Sequence, residues 1–379
     1  MKKVRRAVLI GVYLLTILFH FPAVAADEPA ISARSAILMD RASRRVLWKK
    51  DEHRRQPIAS TTKIITALLA LEHGGEADRI TVSRAAAETE GSSIWLEEGE
   101  IKTLGELLYG LMLRSGNDAA AAIAAHIGGS SEEFVSLMNR RALALGAKDT
   151  RYANPHGLPG GEQYSTAHDQ ALIACEALEN SRFREIIATP VCTISWPGQP
   201  WDRIMSNQNR LLELYPGGDG VKTGWTKEAG RCFVGSATRE RWQLVCVLLD
   251  APQMWEDAAL LLDYGYGHFR QQKIFAQNNI ICTAEVVKGS RRAEVAPGED
   301  LYLALQPDEG AQLSYRIVLD EPLTAPLAAG ERVGAAEVYL QEQLLGRVGL
   351  IAAGPVARKS IFRYLKLLFD TLLYGGLTA

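Results

Sequence analysis

Cysteine is scarce in this 379-residue chain, with five residues at Cys175, Cys192, Cys232, Cys246 and Cys282. The number is odd and no pair has C-x-x-C spacing, which argues against a disulfide framework and against a structural zinc site. Several lie in apolar runs, such as Cys232-Phe233-Val234 and Val245-Cys246-Val247, where a buried thiol behaves as a small hydrophobe. His53, His73, His126 and His268 lack metal-ligand spacing, so neither a metal nor a cofactor is expected. The chain also lacks a basic excess. Its formal net charge is −2, which removes the electrostatic footprint of a nucleic-acid binder. Internal repeats and low-complexity tracts are absent. With 47% hydrophobic and 23% charged residues, the composition is that of ordinary globular domains with a full core, and the length suggests more than one.

What is present begins with an export signal. Met1 to Arg6 is basic, Ala7 to Phe21 is apolar, and Ala23-Val24-Ala25 is a small-x-small site. The apolar run is short for a membrane span, so residues 1–26 read as a secretory signal peptide cut near Ala25 or Ala26. The leader holds four Lys/Arg and no Asp/Glu, so its removal takes the formal charge from −2 to −6.

The mature chain opens with a predicted hairpin, Ala36–Asp40 and Val46–Trp48. Thr61–Leu71 is apolar on nearly all sides and predicts a buried helix. Thr103 caps a second helix, with Leu104, Leu107, Leu108, Leu111 and Met112 on one face. An Ala-rich helix follows Asn117, and another is expected over 132–145. Later, Arg231–Thr238 and Trp242–Leu249 predict strands and Glu256–Leu262 a helix. This order predicts an α/β (α+β) sandwich, an antiparallel sheet flanked by helices, over residues 27–272. From 273 to 354 the runs shorten: Ala284–Val287, Leu301–Leu305, Ser314–Leu319 and Ala335–Leu340, punctuated by Gly and Pro. They predict a small all-β C-terminal domain. In 355–379, Ile361, Phe362, Leu365, Leu368, Phe369, Leu372 and Leu373 share one helical face, with Arg358, Lys359, Arg363 and Lys366 on the polar side. That pattern predicts an amphipathic helix lying on a membrane surface. It is too short and too charged to span.

Three short motifs carry chemistry: Ser60-Thr61-Thr62-Lys63, Ser115-Gly116-Asn117 and Lys222-Thr223-Gly224. Each is weak alone. Ser60 could be a helix N-cap, Ser115-Gly116-Asn117 a turn, and Lys222-Thr223-Gly224 the start of a strand. A capping box, however, wants Glu or Gln where Lys63 stands, and a cation in the first turn opposes the helix dipole. A serine hydroxyl needs an adjacent base to attack, and Lys63 is one helical turn from Ser60. Lysine serves as a base when its pKa is lowered by burial or a second cation, and Lys222 is the candidate for that cation. Ser115 is the expected proton relay. Asn117 is expected to hydrogen-bond substrate or to hold Lys63. Lys222 and Thr223 are expected to meet a substrate carboxylate, with Gly224 letting the substrate backbone approach the strand edge. The N–H groups of Ser60 and Trp225 are candidates for an oxyanion hole. Trp95 and Trp201 could line the cleft or simply pack, and His156 is read as structural.

In their order and setting these motifs resemble those of the low-molecular-mass penicillin-binding proteins, the serine-type D-alanyl-D-alanine carboxypeptidases of peptidase family S11. Gly91-Ser92-Ser93, Asn154-Pro155-His156-Gly157-Leu158, Tyr164-Ser165-Thr166-Ala167 and Asp219-Gly220-Val221 extend the resemblance from about Ala33 to Phe269. It implies a β-lactamase/DD-peptidase-like fold, a β-rich stalk and an amphipathic C-terminal anchor. It further implies removal of terminal D-alanine from peptidoglycan stem peptides through an acyl-serine, β-lactam antibiotics as covalent inhibitors, and a location on the outer face of a bacterial membrane. The alternatives are a β-lactamase and a non-catalytic penicillin-binding scaffold. For the former, Glu176 and Asn180 match only the bare Glu-x-x-x-Asn spacing of a deacylation signature.

Overall fold

The alternating runs at the mature N-terminus pair as expected. In the computed structural model, which describes residues 28–320, 322–359 and Leu365, Ser35–Asp40 and Val46–Lys50 form an antiparallel hairpin. The expected leader lies outside the described residues, as does most of the expected C-terminal helix; its first residues, 355–359, are not helical, because Val356 and Arg358 bridge to Leu327 and Gly289 and Val356 joins the β-domain core.

The hairpin edges a five-stranded antiparallel sheet. Across it the order is Val46–Lys50, Ser35–Asp40, Trp242–Leu249, Gly230–Arg239 and Gly218–Thr226. Ser35–Asp40 and Trp242–Leu249 are buried along their whole length, which requires cover on both faces. Side chains divide by the two-residue period of a strand. Ile37, Met39, Val245, Val247 and Leu249 join the core on one face, with Lys63–His73, Leu104–Leu113, Asn117–Gly128 and Ala167–Ala177. Ala36, Leu38, Leu244, Cys246 and Leu248 face the other way and pack under Met254–His268. The result is the helix-flanked antiparallel sandwich the sequence predicts.

Local chemistry sets the helix starts around the site. Thr103 Oγ1 accepts from the Glu106 N–H while the Glu106 carboxylate accepts from the Thr103 N–H, a full capping box. Thr166 caps Ala167–Ala177 through the Asp169 N–H. The nucleophile segment differs. Ser60 lies in the 3-10 turn Ala59–Thr62 and makes no capping hydrogen bond, which disposes of the capping reading.

The C-terminal β domain is a five-stranded antiparallel sheet ordered Cys282–Ala284, Ala293–Pro297, Gln343–Ala352, Arg332–Leu340 and Leu313–Leu319. A separate pair joins Arg270–Phe275 to Leu301–Leu305, so the expected divide at 272/273 falls inside a strand. Two expectations shift here. The strand expected over Ala284–Val287 ends at Ala284, and Val287 makes only an isolated bridge to Thr324. Gln343–Ala352, absent from the expected strands, is the longest strand of this domain.

Candidate active site

Helix, loop and sheet edge converge on Ser60. Lys63 opens the buried helix one turn later, and its Nζ lies 3.0 Å from Ser60 Oγ. Its other partners are Asn117 Oδ1 at 2.6 Å and the His156 carbonyl at 2.8 Å. None is a carboxylate. Lys63 is fully buried. Burial first, then the charge of Lys222, holds its pKa well below the usual lysine range, against a smaller opposing pull from Asp118. A neutral amine has two N–H donors and one lone pair. Two of the three partners are acceptors only and the third is a hydroxyl. The shell therefore fits a neutral amine that donates to Asn117 and His156 and accepts from Ser60 Oγ–H.

Asn117 is committed to this task. Its Oδ1 takes Lys63, its Nδ2 donates to the Glu90 carbonyl at 2.7 Å, and its backbone N–H donates to the Ser92 carbonyl at 2.7 Å. It is buried and absent from the cleft lining. Of its two expected roles, holding Lys63 is the one these hydrogen bonds display. Ser115 sits two residues earlier with φ +63, a strained conformation for a residue with a side chain. Among the described residues its hydroxyl has no hydrogen-bond partner, and it faces the same cleft as Ser60.

The third motif lies on the edge strand Gly218–Thr226. Lys222 is buried, and burial pushes its pKa down to about 7. Its Nζ donates to the Thr223 carbonyl at 2.9 Å. Thr223, Gly224 and Trp225 line the cleft, with Trp225 64% exposed at its mouth. Gly224 also meets a second, unexpected neighbour. A Cβ there would fall 2.8 Å from the Ser60 backbone nitrogen and 3.1 Å from Ala59 Cβ. What comes close to the strand is the nucleophile turn itself.

The cleft has a volume of about 430 Å³. Ser92, Gln208, Arg210, Arg231, Met254 and Trp255 complete its lining, and none of the lining residues is acidic. Its charged lining residues, Arg210 and Arg231, are both cationic, which favours an anion. Sequence reasoning missed Arg210 and Arg231. Arg210 is in an irregular segment with no motif, and Arg231 reaches the cleft only because strand register sets it opposite Trp225. It also underrated the Asn154–Leu158 turn. The His156 carbonyl holds Lys63, the Pro155 carbonyl accepts from Thr66 Oγ1 at 2.7 Å, and a Cβ on Gly157 would overlap the Ala59 carbonyl. The His156 ring stays off the nucleophile. Burial and nearby Lys63 push its pKa down to about 4, and its Nδ1 accepts from the Leu158 N–H.

Glu176 and Asn180 are placed elsewhere. Glu176 is bound by Arg44 and Arg141, and Asn180 caps Ser181–Ala188. The Glu-x-x-x-Asn spacing is therefore a structural coincidence. Trp95 and Trp201 are both exposed and neither lines this cleft.

Residues 22–253 match the family described as D-alanyl-D-alanine carboxypeptidase. The chain belongs to this family. Residues 269–358 match the C-terminal domain of penicillin-binding protein 5, so both parts of the family architecture are present. D-alanyl-D-alanine carboxypeptidase DacF of Bacillus subtilis is 32% identical over 97% of each chain. DacB2 of Mycobacterium tuberculosis is 36% identical over 65% of this chain and 86% of its own. Among solved structures, penicillin-binding protein 5 of Haemophilus influenzae superposes with a TM-score of 0.72 at 26% identity, covering 87% of this chain and 99% of that one. The match to the Haemophilus influenzae protein extends over both the helix-flanked antiparallel sheet and the β domain.

Proposed function

We propose that this carboxypeptidase removes the terminal D-alanine of peptidoglycan stem pentapeptides by acyl transfer to Ser60. The observation that carries the assignment is the buried Lys63 amine, 3.0 Å from Ser60 Oγ and surrounded by neutral partners. Ser60 Oγ attacks the carbonyl carbon of the penultimate D-alanine and its proton passes to Lys63. The N–H groups of Ser60 and Trp225 receive the developing oxyanion. Ser115 relays a proton to the departing amine of D-alanine, and the C–N bond breaks. Water then attacks the acyl carbon, Lys63 takes its proton and returns it to Ser60 Oγ, and the ester bond to Ser60 breaks. Thr223, Lys222 and the guanidinium groups of Arg210 and Arg231 hold the terminal carboxylate, which suits the acid-free lining of the cleft. β-Lactams enter the same cleft and acylate Ser60.

Residues 1–26 direct export, and 355–379 hold the enzyme on the outer face of the membrane. Among the described residues no helix is long and apolar enough to cross a membrane. The β domain stands between that anchor and the catalytic unit.

The test is D-alanine release from diacetyl-Lys-D-Ala-D-Ala by the mature protein and by Ser60→Ala. Release by wild type only is expected. Release by both would mean that another serine is the nucleophile, and release by neither would remove the carboxypeptidase assignment.

A further inference from the structure

Trp95 is 60% exposed although its backbone is held in the left-handed region at φ +57, a conformation that bulky residues seldom adopt. The structure around it accounts for its persistence. Ser93 Oγ accepts from the Trp95 N–H at 2.8 Å and itself donates to Asp118 at 2.6 Å. The Trp95 carbonyl accepts from Arg203 Nη2 at 2.6 Å. Arg203 is buried, bonds Glu100 through both terminal nitrogens, and stacks on the Trp196 indole with its guanidinium carbon 4.4 Å from the ring centroid. One buried arginine thus holds the Trp95 backbone and the Trp196 indole.

The two tryptophans border an open cavity of about 660 Å³ with Ala87, Leu96 and Glu97, and a smaller one of about 220 Å³ with Arg114 and Asp202. Apolar walls rimmed by a few charged groups mark a binding site rather than a packing defect. The shelf continues the wall of the active cleft. Ser92 lines the cleft, Ser93 and Trp95 line the shelf, and the Ser92 carbonyl is bonded to Asn117, the residue that holds Lys63.

We infer that the Trp95–Trp196 shelf binds the sugar rings of the peptidoglycan glycan strand to which the stem peptide is attached. The inference rests on the carboxypeptidase reading above. A pyranose ring presents a face of C–H bonds that lies flat on an indole, and equatorial hydroxyl and N-acetyl groups that hydrogen-bond Glu97, Asp202 and Arg114. Reach is compatible as well. An extended pentapeptide spans roughly 17 Å, and the three chain steps from Ser92 to Trp95 span at most about 11 Å. A pentapeptide that leaves the cleft past Ser92 is therefore longer than the chain that joins Ser92 to the shelf.

The experiment compares wild type with Trp95→Asn, a residue tolerant of the left-handed backbone, and separately with Trp196→Ala. D-alanine release is measured from diacetyl-Lys-D-Ala-D-Ala and from pentapeptide-bearing glycan chains. A peptide-free hexamer of β-1,4-linked N-acetylglucosamine is titrated by tryptophan fluorescence. Expected are a roughly tenfold lower kcat/KM on the glycan-linked substrate, a change within twofold on the free peptide, unchanged acylation by benzylpenicillin, and saturable hexamer binding by wild type that each variant weakens. Equal losses on both substrates, or no loss on either, would overturn the shelf. So would unchanged hexamer binding accompanied by lost association with phosphatidylglycerol–phosphatidylethanolamine vesicles, which would give the indoles to a lipid surface. If wild type releases no D-alanine from either substrate, the carboxypeptidase reading fails, and the hexamer titration then decides the shelf by itself.

Discussion

Gly224 is pressed against Ser60 so closely that a β-carbon at 224 would fall 2.8 Å from the Ser60 backbone nitrogen. The edge strand and the nucleophile turn are in backbone contact, and that contact sets where Ser60 stands relative to Thr223. Gly224→Ala must push the two apart. A displacement approaching 1 Å at reacting atoms can cost about 10²-fold in rate. The acylation rate of Gly224→Ala by benzylpenicillin should fall by about that factor while the protein remains folded. Acylation at the wild-type rate would show that the turn gives way freely.

The two buried lysines give opposite limbs to the pH profile. Lys63 must be neutral to take the Ser60 proton, so activity rises as pH climbs through its depressed pKa. Lys222 must be charged to hold a carboxylate, and its pKa is pushed down to about 7, so kcat/KM falls above that pH. In the complex the carboxylate stabilises the ammonium, so kcat should fall at higher pH than kcat/KM. A kcat/KM that keeps rising to pH 9 would remove the charge requirement at Lys222.

The same shift has a stability consequence. Between about 7 and the unfolded value of about 10.4, the unfolded chain binds more protons at Lys222 than the folded one does. Stability contributed by this group therefore rises with pH across that window and is lost as pH falls through 7. Melting temperatures measured from pH 7 to 10 should show a rising component that Lys222→Met removes. Parallel curves for the two proteins would contradict it.

Asn117→Asp places a carboxylate where Lys63 now has an amide oxygen at 2.6 Å. An adjacent anion favours the ammonium. The rising limb of the pH profile should move to higher pH, with acylation at pH 7 at least tenfold slower and partly recovered at pH 9. A uniform loss at all pH values would assign Asn117 a role other than holding Lys63.

The thiols should divide by burial. Cys175, Cys232 and Cys246 are buried, and burial pushes each up to about 12. Cys192 and Cys282 are only partly covered. The folded protein at pH 8 should yield no more than two thiols to a disulfide reagent and all five once denatured. Fast modification of a third in the folded state would show that the core opens.

Deleting 360–379, which spares Val356 in the core of the β domain, should release the mature protein from membranes into the soluble fraction, with hydrolysis of the free tripeptide unchanged. Persistent membrane association would place the anchor elsewhere.

Legibility in the sequence followed the strength of local signals. Trp242–Leu249 is apolar except for Gln243 and bounded by turn residues, and it emerges with the expected limits. Thr103 with Glu106 three residues on is a helix start whose energetics are entirely local. Gly218–Thr226 was legible only around its motif, because glycines at 218, 220 and 224 erase the strand pattern. Gln343–Ala352 was hidden in the same way by Gly346 and Gly349.

By itself the sequence determined the residue types of the chemistry: a serine, a lysine one turn later, a second serine, and a second lysine followed by threonine and glycine, in an order that chance rarely supplies. Local spacing suffices for Ser60 and Lys63, since three residues of helix bring them together. Only the tertiary structure decided the rest. Asn117 faces Lys63 rather than the cleft, Gly224 accommodates the nucleophile turn, the His156 carbonyl completes the shell of Lys63, and Arg210 and Arg231 meet at one cleft. Those relations join residues far apart in the chain. The joint packing of sheet edge, helices and loops sets them, and no local pattern encodes that packing.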